Sequence, residues 1–117
     1  MRKLLLVCFF LGYSLCGSTQ GIEFKETNFD KILEIAKKEG KMIFLDVYTV
    51  WCGPCKMMAE KVLPLKEVGE YMNERFVCIK VDMEKGEGPD LARKYKVSAY
   101  PTFLVLQADG NLMQRVV

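Results

Sequence analysis

From Ile22 onward the chain alternates between strand-like and helix-like spacings of apolar residues. Residues 22–25 form a short extended segment. Thr27 or Asn28 is suited to cap a helix running to about Lys38, because Phe29, Ile32, Leu33 and Ala36 share one helical face and Gly40 follows as a stop. Residues 42–48 are apolar except for Asp46, the pattern of a strand buried on both faces. The next helix is predicted to start at Cys55 and run toward Tyr71 or Met72, bent near Pro64 because proline removes a backbone hydrogen bond. Residues 76–81 read as a second buried strand. Gly88, Pro89 and Asp90 open a short helix ending near Tyr95, with the proline in the first turn where its missing N–H does no harm. Residues 102–107 and 112–117 are strands joined by an Asp109-Gly110 turn. Helices alternating with strands and closing on a hairpin predict an α/β fold, a central mixed β-sheet flanked by helices.

The start of the chain has a different pattern. Arg2 and Lys3 precede an apolar run from Leu4 to Leu11, and small or polar residues follow at Ser14, Gly17, Ser18 and Thr19. Eight successive apolar residues fit no amphipathic period, and the run falls short of the roughly 20 residues a bilayer span needs. Residues 1–20 are therefore expected to be a signal peptide, cleaved between Gly17 and Gly21, leaving one domain at 21–117 outside the cytoplasm. The alternative is a lipid anchor on Cys16, against which stands the bulky Leu15 before it.

Charge excludes one broad class. Without Arg2 and Lys3 the 17 basic residues become 15, equal to the 15 acidic ones, and no basic run points to nucleic acid. The 117 residues contain no histidine, which removes the commonest general base and metal ligand together with every Cys–His or Ser–His pair. Thiol exchange needs none.

Trp51-Cys52-Gly53-Pro54-Cys55-Lys56 lies between a predicted buried strand and a predicted helix. Two cysteines in the first turn of a helix can close a small disulfide ring, and the unpaired amides and positive dipole end there stabilise a thiolate. Such placement lowers a cysteine pKa from about 8.5 to roughly 3.5–7.5. Cys52 is expected at the exposed edge as the attacking nucleophile, and Cys55, one turn deeper, as the thiol that resolves the mixed disulfide. Pro54 stiffens the ring. A structural zinc site would need about four ligands, and only Cys78 remains in the expected mature chain. No metal and no cofactor is expected.

These residues resemble the thioredoxin family. Trp51 to Lys56 matches its active-site motif residue for residue, Phe44-Leu45-Asp46-Val47 is similar to the strand before it, and Tyr100-Pro101-Thr102 is similar to the loop carrying the family's cis-proline. The resemblance covers about Phe24 to Val117. It implies a thioredoxin fold with Cys52 and Cys55 as a redox disulfide, and Asp46, six residues ahead of Cys52, as the buried acid that takes the Cys55 proton. It also implies that Pro101 presents the Tyr100 backbone to an extended substrate segment, and that Trp51 shields the disulfide and touches the substrate. The stretches 63–71 and 75–82 resemble the secreted bacterial branch, which includes the C-terminal periplasmic domain of a membrane thiol–disulfide interchange protein.

Two departures from the family pattern carry expectations of their own. Counted back from Asp82, the family's lysine beside the buried acid falls at Cys78, with Lys80 on the same strand face as a substitute; Cys78 is then read as a buried free thiol. The family's sheet is covered by a final helix, which this sequence lacks, so a C-terminally truncated domain is expected. Gly53-Pro54 favours the reducing end of the family by resemblance. The implied function is reduction of disulfide-containing proteins outside the cytoplasm, in the periplasm, with electrons from a membrane or thioredoxin-like donor. An oxidase or isomerase on the same scaffold differs only in redox poise. A copper(I) chaperone using Cys52, Cys55, Met57 and Met58 is a third reading, against which these methionines are expected simply to fill the core.

Overall fold

The computed structural model describes residues 20–117. The expected signal peptide at 1–20 lies, except for its last residue, outside the described residues, as does Cys16, the alternative lipid-anchor site.

Helix α1 (Phe29–Glu39) starts where the Asn28 side chain accepts the Lys31 amide and stops at Gly40, whose φ of 64° only glycine adopts freely. Strand β1 (Met42–Tyr48) runs to the cysteine motif. Helix α2 (Gly53–Lys61) and helix α3 (Lys66–Arg75) follow, then strand β2 (Phe76–Asp82), helix α4 (Gly88–Lys94), and the hairpin of β3 (Thr102–Leu106) and β4 (Leu112–Val116).

The expected single bent helix over 55–72 is two helices. Pro64 lacks an N–H and disfavours helical geometry at Leu63, so the chain leaves α2 and re-enters as α3. The break exposes the Leu63 carbonyl, which accepts the Ile22 N–H at 3.0 Å. There Gly21 lies against Gly69 of α3 so closely that a methyl on Gly69 would collide with the Gly21 carbonyl. The segment 22–25 is thereby held along the edge of β2, with Phe24 bridging Cys78 in parallel.

The sheet order is β2-β1-β3-β4, with β1 parallel to β2 and the other pairs antiparallel. Strand alternation separates two faces. Ile43, Leu45, Val47, Val77, Ile79, Leu104 and Leu106 pack with Ile32 and Ala36 of α1 and Leu91 of α4 into one core. Phe44, Asp46, Tyr48, Cys78, Lys80 and Phe103 point to the other face, where Phe44 stacks on Phe103 at 5.6 Å. This is the α/β fold with a mixed sheet that the pattern predicts. Because β1 ends and β3 begins at one edge, residues 49–52 and 99–101 meet there.

Candidate active site

Cys52 is the N-cap of α2 and Cys55 its third residue, so the helix opens inside the motif rather than at Cys55. Their sulfurs are joined in a disulfide, with Cα atoms 5.2 Å apart. Gly53 and Pro54 occupy the two positions between, where the missing Pro54 N–H has no helical partner to lose. The Cys55 N–H donates to Cys52 Sγ at 3.1 Å, and the Lys56 N–H donates to the Cys52 carbonyl at 3.2 Å. A sulfur already placed to accept an amide proton at the positive end of a helix is suited to exist as a thiolate once reduced.

Cys52 is not at an exposed edge in this disulfide form: it is 5% exposed and Cys55 7%. The Cys52 sulfur turns back over the first helical turn toward the Cys55 amide instead of outward. Trp51 beside it is 64% exposed. Its ring meets Tyr100 edge-on at 6.1 Å, and its Nε1–H donates to Glu84 Oε1 at 2.6 Å. The Tyr100–Pro101 bond is cis, and the Thr102 hydroxyl closes that loop by donating to the Ala99 carbonyl at 2.6 Å.

Asp46 lies on the sheet face that carries α2. It is 3% exposed, and its Oδ1 has no protein hydrogen-bond partner among the described residues. Burial pushes its carboxyl up from 3.8 to about 6, with the Lys80 charge pulling the other way. A cavity of about 320 Å³ is bounded by Tyr48, Cys55, Ala59 and Lys80, the strand neighbour of Asp46. Lys80 contacts the Tyr48 ring (4.9 Å to centroid) and the Phe24 ring (5.5 Å).

The expected substitute for the family's lysine is in place. Lys80 is the direct β2 neighbour of Asp46, whereas Cys78 pairs with Phe44 on the same sheet face. The basic partner of Asp46 is therefore present. Cys78 is a buried free thiol, and burial pushes it up to about 12, so it stays protonated at neutral pH. Met57 does not fill the core: two residues past buried Cys55 it points outward, 61% exposed, and only Met58 is half-buried. Glu84 went unrecognised in the sequence, because the indole and the β2–α4 turn are 33 residues apart and only the fold brings them together.

A disulfide in the first turn of a helix, following a central strand that carries a buried acid and lying beside a cis-proline loop, defines a protein of the thiol–disulfide class. The profile of the thioredoxin family, described simply as thioredoxin, matches residues 20–117, and the chain belongs to that family. Among solved structures, that of a proposed disulphide-isomerase from Bacteroides thetaiotaomicron is 44% identical, with a TM-score of 0.75, covering 85% of this chain and 82% of that one. A thioredoxin from Thermus thermophilus is 26% identical with a TM-score of 0.71, covering 82% and 76%. Among curated relatives, chloroplastic thioredoxin Y1 of Arabidopsis thaliana is 37% identical over 94 residues, 80% of this chain. The chain spans about half the length of that relative, 51%.

Proposed function

We propose that this protein is a thiol–disulfide oxidoreductase that reduces protein disulfides outside the cytoplasm. The observation that carries this reading is the Cys52–Cys55 disulfide in the first turn of α2, the helix that follows the strand bearing buried Asp46.

In the reduced protein the Cys52 thiolate attacks one sulfur of a substrate disulfide, forming a Cys52–substrate bond and releasing the other substrate sulfur as a thiolate. Asp46 then takes the Cys55 proton, and Cys55 attacks Cys52 Sγ. The Cys52–Cys55 bond forms, and the second substrate thiolate leaves. The substrate gains two electrons and the protein becomes the disulfide. An exogenous dithiol donor, a membrane or thioredoxin-like carrier, restores the reduced state. A carboxyl with a pKa near 6 is matched to accepting a proton near neutrality. Export is supported by the leader-like pattern of residues 1–20. A second direction, isomerisation, has support in the 44% identity to the Bacteroides protein, a proposed disulphide-isomerase.

Cysteine variants test the mechanism. Cys52→Ser is expected to abolish insulin reduction, and Cys55→Ser to accumulate a covalent complex with substrate that dithiothreitol releases. Full turnover by either variant would show that the dithiol does not carry the reaction.

A further inference from the structure

The exposed indole of Trp51 is held from two sides by loops that are remote in sequence. Glu84, in the turn between β2 and α4, accepts its Nε1–H, and Tyr100, just before cis-Pro101, meets its ring edge-on at 6.1 Å. The turn itself is ordered: the Glu84 N–H donates to Asp82 Oδ1 at 2.9 Å, and the Met83 N–H donates to the Tyr48 carbonyl at 2.9 Å. Glu84 is therefore anchored to the end of β1, the strand that delivers the cysteine motif.

We propose that Glu84 is a positioning residue for protein substrates, fixing Trp51 as a rigid apolar plate beside the disulfide. The inference rests on the thiol–disulfide reading above. An aromatic ring this exposed loses conformational freedom whenever a partner docks on it, and that cost weakens binding. An indole already held by a charged acceptor and an aromatic edge avoids most of this loss, so docking of a macromolecular disulfide gains affinity. A small disulfide reaches the sulfurs without covering the indole and gains nothing. Exposed Val50 and Met57, 52% and 61% accessible, extend the apolar rim on which an unfolded or extended protein segment would rest. The chain contains one tryptophan, so its emission reports on this indole alone.

The test compares wild type, Glu84→Ala and Glu84→Gln with two oxidised substrates, insulin and hydroxyethyl disulfide, alongside Trp51 fluorescence anisotropy in the absence of substrate. Alanine removes the acceptor, whereas glutamine keeps an amide oxygen at the same reach. Glu84→Ala is expected to lower anisotropy and raise KM for insulin about fivefold, with kcat changed less than about twofold and hydroxyethyl disulfide little affected. Glu84→Gln should restore most of the anisotropy and the KM. Unchanged anisotropy and KM in Glu84→Ala would overturn the proposal, as would equal losses on both substrates or failure of glutamine to rescue. Wild-type protein inactive on both substrates would overturn the thiol–disulfide reading and the docking role with it, while the anisotropy would still decide whether Glu84 holds the indole.

Discussion

Asp46 is the residue where stability and chemistry are opposed. In the unfolded chain its carboxyl releases a proton near 3.8; in the fold it does so near 6, because burial disfavours the charge more than Lys80 restores it. Between those values the folded state binds more protons than the unfolded state, so the Asp46 contribution to stability falls as pH rises through the window and stays low above it. Asparagine has no charge to bury. Asp46→Asn is therefore expected to be more stable than wild type by about 2 kcal/mol above pH 6, with the gain disappearing below about pH 4. The same variant should resolve the mixed disulfide more slowly at neutral pH, since the proposed proton acceptor for Cys55 is gone. Denaturant melts from pH 3.5 to 8 with single-turnover reduction check both halves; a variant no more stable than wild type at pH 7 would show that the charge is not carried at a cost. The acid was legible in the sequence as the one polar residue in a buried strand six positions before Cys52. Lys80 was legible as a substitute on the same strand face, but only the register of β2 against β1 sets it directly opposite Asp46.

The elements were legible wherever capping and periodicity agreed. Asn28, the helical stripe and Gly40 marked α1 to within a residue, and the apolar run broken by one acid marked β1 as a strand buried on both faces. The break between α2 and α3 was not, because a proline in a helix can bend it or end it, and tertiary contact with the N-terminal segment chooses between these. That contact is the close approach of Gly21 and Gly69. Replacing an exposed helical glycine by alanine ordinarily adds up to about 1 kcal/mol of stability. At Gly69 the methyl meets backbone that cannot yield, pushes 20–25 off α3, and strains the Ile22 to Leu63 and Asn73 to Gly21 hydrogen bonds. Gly69→Ala is expected to lose about 1–3 kcal/mol in a urea melt and to be cleaved faster within residues 20–25 by a nonspecific protease. A gain in stability with unchanged proteolysis would mean that the segment is not seated there.

At the scale of the molecule, the fold brings three separate stretches to one edge of the sheet: the motif after β1, the turn bearing Glu84 after β2, and the Tyr100–Pro101 loop before β3. The motif and the cis-proline loop could be found in the sequence because each has a local signature. The middle stretch has none, and its part in the site depends on strand order. The proposed function requires that this arrangement make Cys52 and Cys55 a reversible, reducing couple. It is tested most directly by equilibrating the protein in dithiothreitol buffers of graded ratio and measuring, by alkylation and mass, the fraction with both thiols free. The account predicts a single two-electron transition near the value of about −270 mV found for thioredoxin, with Cys78 unchanged throughout. A midpoint near that of a strong oxidant, about −120 mV, or no reversible transition at all, would contradict it.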